Sequence, residues 1–200
     1  MTAPPILPTA AGPAISEEQL RQLTGARVGS RKLRRAIFVA NFDGWSIGAF
    51  GVLTLLFGLT DPSSIIMGLG MGTIAWIELR SAGGLRRLDP HAARTLGLNQ
   101  LALAALLILY ALWRIYAVST GAGSYEAIKA SDPQMAHMLQ PIEDLTHVVS
   151  LALYAVLILI AIFAQGGLAL FYFTRVKHIE TYLSRTPAWI VKLQQTGITL

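Results

Sequence analysis

Four long runs of apolar residues alternate with short polar stretches along the chain. They cover residues 36–60, 63–79, 97–117 and 147–173. A helix needs about 20 residues to cross the ~30 Å hydrocarbon core of a membrane, and spans of ~17 to 25 residues are typical. The pattern therefore predicts four transmembrane helices, of which the second is barely long enough and the fourth has residues to spare.

The polar stretches between these runs predict how the helices are connected. The sequence DPSS at 61–64 is typical of a tight turn, so the first two helices should form an antiparallel hairpin. Gly83 and Gly84 are expected to end the second helix. Asp89 and Pro90 have the residue types of a helix cap and a first helical position, which starts the third helix at 90. Pro141 is expected to open the fourth helix, which continues to about residue 184.

Amphipathic segments flank this transmembrane domain, which we place at 31–174. Residues 1–30 are predicted to be a disordered tail followed by a short helix over 17–24, because four prolines interrupt residues 1–14 and Ser16 begins a capping-box pattern. Residues 175–200 form a helical arm in which Trp189 and Leu193 alternate with polar residues, as in a helix lying in the headgroup layer. The predicted fold class is all-α, an integral membrane four-helix antiparallel bundle with amphipathic helices on the cytoplasmic side.

The composition agrees with a chain that exposes a large apolar surface. Hydrophobic residues make up 54% of the sequence and charged residues only 14%, against roughly 25% charged residues in a soluble domain. The chain contains no cysteine, which excludes disulfides, thiolate metal sites and thiol nucleophiles.

The distribution of basic residues predicts the orientation. Of the 16 lysines and arginines, all except Arg114 and Lys129 fall on one side of the predicted spans. Basic residues favour the cytoplasmic side, so both termini are expected there, in a bacterial inner membrane. These residues should contact anionic lipid headgroups, at ~1 kcal/mol each near the surface. No nucleic-acid-binding pattern accompanies them, so no nucleic-acid partner is expected.

The first two spans each carry a pair of glycines spaced by four residues. The pairs are Gly44 with Gly48, and Gly68 with Gly72. Small residues at this spacing allow two helix backbones to approach closely. The short turn favours a contact within the hairpin, and the alternative is a contact between copies of the chain in a homo-oligomer.

A group of polar residues is predicted near the cytoplasmic edge of the bundle. Trp45 and Trp76 are expected at this membrane interface, where tryptophan is enriched. Asp43 and Glu78 each lie two residues closer to the cytoplasm than one of these tryptophans, so they should lie at similar, shallow depth. The other polar residues expected at this level are Asn41, Asn99, Gln100 and Gln165.

Two hypotheses account for this polar group. In the structural hypothesis, the side chains pair with one another or with nearby arginines, such as Arg34, Arg35 and Arg80, and anchor the helix ends. In the functional hypothesis, they form a vestibule that opens to the cytoplasm and binds a proton, a cation or a small ligand. Carboxylates inside a membrane are costly and often functional, and two of them close together favour binding of a proton.

A second polar group is predicted at the opposite, outer side. Glu143 and Asp144 precede His147 by four and three residues, which places them on one helical face. Arg114 should lie at similar depth, so an ion pair with these residues is expected. A copper site is the alternative, with thioether, imidazole and carboxylate ligands from Met135, His137, Met138, Glu143 and His147. The pattern is too short to favour it, and no metal site is predicted.

The sequence carries no recognisable catalytic set. It lacks a nucleophile beside a base, a metalloprotease motif and a phosphate-binding loop in the right context, so we expect neither an enzyme nor a cofactor. The leading hypothesis is a small accessory or structural membrane protein that binds protein partners or lipids. The alternative is a small oligomeric transporter or channel that uses Asp43 and Glu78.

Overall fold

The structure, a computed structural model, describes residues 15–120 and 133–196, with side chains for all of these except 133–139. The described helices are α1 (Glu17–Gly29), α2 (Arg31–Phe57), α3 (Pro62–Arg86), α4 (Pro90–Thr120), α5 (Pro133–Ile160), α6 (Gly166–Arg185) and α7 (Ala188–Gln195). A π-helical turn, Ala161–Gln165, joins α5 to α6, so that residues 133–185 form one continuous helix. The tail predicted over residues 1–14 lies outside the described residues.

Four helices are long and apolar enough to cross a membrane, which confirms the predicted fold class. They are α2, α3, α4 and the segment Gln140–Arg185. α2 packs on α3, α3 packs on α4, and α4 also contacts α5, the π-helical turn and α6. α4 is therefore the central helix of the bundle. The last segment has 46 residues, about 69 Å of helix, which is longer than a hydrocarbon core is thick.

Aspartate caps begin two of the helices, and the cap of α4 is the one that the sequence predicts. The backbone N–H of His91 donates to Asp89 Oδ1 at 2.9 Å, and α4 starts at Pro90. The backbone N–H of Ser63 donates to Asp61 Oδ1 at 3.1 Å, and α3 starts one residue after this aspartate. Both caps satisfy N–H groups that a helix cannot pair internally.

α3 continues through the glycine pair that was expected to end it. The prediction that Gly83 and Gly84 break the helix is wrong, because α3 runs to Arg86. A Cβ atom on Gly84 would lie 2.7 Å from Ala92 Cβ, so glycine at this position lets α3 and α4 approach. That contact outweighs the penalty of about 1 kcal/mol for glycine inside a helix.

Two other helices extend beyond their predicted bounds. α1 continues to Gly29 rather than ending at 24. Pro141 lies inside α5 instead of opening the fourth helix, which already starts at Pro133. Pro133 is at the first helical position, where a proline loses no hydrogen bond. Pro141 lies inside the same helix, where its missing N–H removes one backbone hydrogen bond.

The glycines of the hairpin lie at the contact between α2 and α3. Three of the predicted glycines face the partner helix, namely Gly44, Gly48 and Gly68. A Cβ atom on Gly44 would lie 3.0 Å from the Leu79 side chain, so the two helices meet closely here. Gly72 differs, since no atom lies within 4 Å of its Cβ position. Gly72 still lies at the contact through its backbone, since its nitrogen is 3.3 Å from the Cβ position of Gly51.

α1 and α7 pack together at one end of the bundle. Trp189 Nε1 donates to Gln22 Oε1 at 3.2 Å, and the Tyr182 hydroxyl donates to Gln194 Oε1 at 2.9 Å. Ile190 is fully buried, whereas Trp189 stays partly exposed. α7 was expected to rest in the headgroup layer, and it also packs through Ile190 against the protein.

Candidate functional site

Five polar side chains from four helices meet inside the bundle. This carboxylate cluster consists of Asp43 from α2, Glu78 from α3, Asn99 and Gln100 from α4, and Tyr172 from α6. Glu78, Gln100 and Tyr172 are 0% exposed and Asn99 is 5% exposed. Asp43 is half-buried. Four of these five side chains therefore lie in the interior of the protein, and Asp43 lies at its edge.

Amide groups bind both carboxylates of the cluster. Gln100 Nε2 donates to Asp43 Oδ2 and, at 3.1 Å, to Glu78 Oε1. Asn99 Nδ2 donates to Glu78 Oε2 at 2.7 Å and to the Ile74 carbonyl oxygen at 3.0 Å. Each oxygen of Glu78 thus accepts an amide hydrogen bond, and the two acids share one nitrogen atom.

The packing of α2 on α3 explains why the acids meet. Gly44 follows Asp43 in the chain, and a Cβ atom on Gly44 would lie 3.2 Å from Glu78 Cβ. The missing side chain lets the backbones of α2 and α3 approach at the level of the two carboxylates. Asn99 and Gln100 are consecutive on α4 and so point about 100° apart, which allows one to face α3 and the other to reach both acids.

Two buried polar atoms of the cluster have no hydrogen-bond partner in the described part of the chain. They are Gln100 Oε1 and the Tyr172 hydroxyl. The hydroxyl adjoins Asp43 and Glu78, and a small rotation would let it donate to the Glu78 carboxylate. A buried polar group without a partner costs ~1–3 kcal/mol, and such groups in native proteins call for a specific reason, such as an ion or a redox or catalytic role. These two oxygens therefore extend the polar surface offered by the carboxylates.

Other members of the predicted polar group lie outside this cluster. Asn41 Nδ2 donates to the Ile37 carbonyl oxygen of its own helix at 2.7 Å. Gln165 ends the π-helical turn, and its Oε1 is buried without a hydrogen-bond partner among the described residues. π-helical turns occur frequently at functional sites.

Asp43 and Glu78 bond to amide groups and not to the arginines that were expected as possible partners. The Arg80 guanidinium lies over the Trp76 ring, 5.3 Å from its centroid. The ion pairs found in the described ranges, Arg21 with Glu17 and Arg114 with Asp61, lie elsewhere. The hydrogen bonds that the structure shows for the two acids are thus with neutral amide side chains, and not with arginines.

Tyr172 is a member of the cluster that the sequence did not indicate. The sequence alone does not show whether a tyrosine within a long apolar run faces lipid or the interior of the bundle. The available signal was its spacing, because Tyr172 follows Gln165 by seven residues and precedes Arg175 by three, which puts all three on one face of a helix.

Arg114 binds the turn of the hairpin at the other end of the bundle. Its Nη1 lies 3.9 Å from Asp61 Oδ2, and its Nε donates to the Tyr154 hydroxyl at 3.0 Å. The hydroxyls of Ser63 and Ser64 donate to Asp61 Oδ2 at 2.6 and 2.8 Å. These serine hydrogen bonds, first that from Ser63, hold the pKa of Asp61 below its usual range, and the charge of Arg114 adds to the effect.

The acids expected beside Arg114 lie on α5. Glu143 is half-buried there, and Asp144 and His147 are exposed. The ion pair that the structure shows for Arg114 is with Asp61, because the short hairpin turn brings this cap residue to α4. Within the described side chains, no three His, Cys, Asp or Glu residues are grouped so as to hold a metal ion. Three residues of the alternative copper site lie outside the described side chains, namely Met135, His137 and Met138.

Comparisons with protein-family models, with curated proteins and with solved structures give no match for this chain. The chemistry of the carboxylate cluster is therefore the main indication of function.

Proposed function

We propose that this protein is a small membrane transporter that binds a cation, a proton or an alkali-metal ion, at the carboxylate cluster. The observation that carries the proposal is that Asp43 and Glu78, from two spanning helices, share the Nε2 atom of Gln100 in the bundle interior. Charges in a low-dielectric interior are costly unless an opposite charge accompanies them. A bound cation supplies that charge.

The neutral partners of the acids support an exchangeable cation. A fixed arginine or lysine would neutralise a carboxylate permanently, whereas Asn99 and Gln100 orient the acids without neutralising them. The oxygens of Gln100 and Tyr172 add ligand atoms of the type that hard cations prefer. The cluster thus combines negative charge with oxygen ligands from four helices.

The remaining parts of the proposal concern the surroundings of the bundle. We place the protein in a bacterial inner membrane with both termini in the cytoplasm, where its basic residues contact anionic lipid headgroups. Four helices form only a thin wall around a pathway, so we expect transport by a homo-oligomer. The proposal assigns ion binding and no catalysis.

Replacing Asp43 with asparagine tests the proposed function. Asparagine keeps an oxygen that accepts from Gln100 Nε2 but removes the charge, so we expect loss of ion uptake with little change in melting temperature. The measurement uses protein in sealed liposomes, with an internal pH-sensitive dye for protons and ²²Na⁺ for alkali-metal ions. Asp144→Asn is the matched control, because this exposed carboxylate lies on α5 outside the cluster.

Two results would count against the transporter. In the first, the wild type takes up neither ion, and in the second, Asp43→Asn takes up an ion as well as the wild type does. An accessory role, in which the protein binds protein partners or lipids, would then be the better proposal. The Asp144→Asn control excludes a general effect of removing one negative charge.

Two single cysteines test the proposed orientation. The chain has no cysteine of its own, so Glu18→Cys in α1 and Ser119→Cys at the end of α4 each introduce a unique thiol at an exposed position. In intact bacteria from which the outer membrane has been removed, a membrane-impermeant maleimide should label Ser119→Cys. It should label Glu18→Cys only after the cells are permeabilised. The reverse pattern would place the termini outside.

A further inference from the structure

A pocket of about 570 Å³ lies between α1, α2 and α6, at the end of the bundle where α1 and α7 pack together. We call it the cationic pocket. Its volume falls within the ~300–1,000 Å³ typical of small-molecule sites. The residues that define it here are Gln22, Lys32, Arg175, His178, Tyr182 and Arg185.

The charged groups of the pocket are all basic. Lys32 comes from α2, whereas Arg175, His178 and Arg185 come from α6, more than 140 positions later in the chain. No aspartate or glutamate is among the described residues that line it. The basic groups lie close enough to repel one another, His178 with Lys32 and Arg175 with Arg35. Folding thus gathers like charges, which an anion would stabilise.

Arg175 lines the pocket and carries a guanidinium group that the fold holds in place. Its Nε atom is buried and has no hydrogen-bond partner in the described part of the chain. Its guanidinium carbon lies 4.3 Å from the centroid of the Phe171 ring, a cation–π contact that fixes the position of the planar group. A guanidinium held in place binds the oxygens of a phosphate through parallel hydrogen bonds.

We propose that the cationic pocket binds a phosphate-bearing anion, through Arg175 and Lys32. The pocket also has apolar walls from Val28, Leu33 and Ile179. This combination fits the phosphodiester headgroup of an anionic phospholipid, and its charged side alone also fits a free phosphate. The site is separate from the carboxylate cluster, so it stands whether or not the cluster binds a cation.

Binding is measured on the full chain purified in detergent, by native mass spectrometry with phosphatidylglycerol and phosphatidylcholine. We expect retention of the anionic lipid in preference to the zwitterionic one. Replacing both Lys32 and Arg175 with glutamine should weaken that retention by about fivefold for each basic residue removed. Arg94→Gln, an exposed arginine of α4 outside the pocket, is the matched control and should weaken retention by about fivefold at most, because it removes a single surface contact with a headgroup.

Competition with inorganic phosphate distinguishes the two sources of the anion. Displacement of the lipid by millimolar phosphate assigns the site to a free phosphate, and retention assigns it to a lipid headgroup. If the double variant fails to fold, Arg175→Lys takes its place. Lysine keeps the charge but lacks the planar set of donors of arginine, so this variant should bind the lipid more weakly than wild type. Equal retention of both lipids by wild type, without a shift in melting temperature on adding phosphate, would overturn the proposal.

Discussion

Replacing Gln100 with leucine is expected to lower the free energy of unfolding by about 2–4 kcal/mol. Gln100 Nε2 donates to both Asp43 and Glu78, and leucine of similar volume cannot donate. The two carboxylates then face each other in the interior without the group that joins them. The loss is limited, because a carboxyl group can take up a proton instead of remaining charged. Unfolding in mixed micelles, as the mole fraction of sodium dodecyl sulfate rises, measures the change.

The matched control is the same substitution at Gln165. Its Oε1 is already buried without a partner among the described residues, so leucine there removes an unpaired acceptor. We expect a change within about 1 kcal/mol, in either direction. Equal losses from Gln100→Leu and Gln165→Leu would mean that the hydrogen bonds of the cluster contribute little.

A second substitution separates the effect of charge from that of packing. Glu78→Gln in the Gln100→Leu background removes one of the two facing charges while keeping the volume. Part of the lost stability should return, and the double-mutant cycle gives the coupling energy between the two positions. Additive changes would show that Gln100 does not stabilise the bundle through its contact with Glu78.

The spans and caps were predictable because their signals are local. The length of an apolar run decides whether a helix crosses a membrane, and Asp89 followed by Pro90 marks a helix start without reference to the rest of the fold. Asp43, Glu78 and Asn99 were also identified correctly as one polar group. The tryptophan positions placed them at one level, and four packed helices then bring residues at one level together.

The partners of these residues depend on tertiary packing and were not predictable. Arginines are near Asp43 in sequence, yet the rotation of α4 presents Gln100 to it instead. Arg114 binds Asp61, since the hairpin turn and α4 meet at that end of the bundle. Tyr172 joins the cluster through the packing of α6 on α4, whereas its spacing from Gln165 and Arg175 indicates only that the three share one helical face.

The packing of each glycine also depends on tertiary structure and was not predictable from the sequence. This difference gives the second large change in stability that we expect, that of Gly68→Val. A Cβ atom on Gly68 would lie 2.6 Å from Leu55 Cγ and 3.0 Å from the Gly51 carbonyl oxygen. The leucine side chain can move, whereas the carbonyl belongs to the hydrogen-bonded backbone of α2 and cannot. We expect valine to force the hairpin apart and to lower the free energy of unfolding by about 2–3 kcal/mol.

Gly72→Val is the control for this substitution, one helical turn along α3. Sequence alone assigns Gly68 and Gly72 the same packing role, but no atom lies within 4 Å of the Cβ position of Gly72. Valine is also a slightly better helix former than glycine, so we expect stability within about 0.5 kcal/mol of wild type. A loss at Gly72 comparable to that at Gly68 would indicate a partner on the exposed side of α3, and would revive the alternative of a glycine contact between copies of the chain.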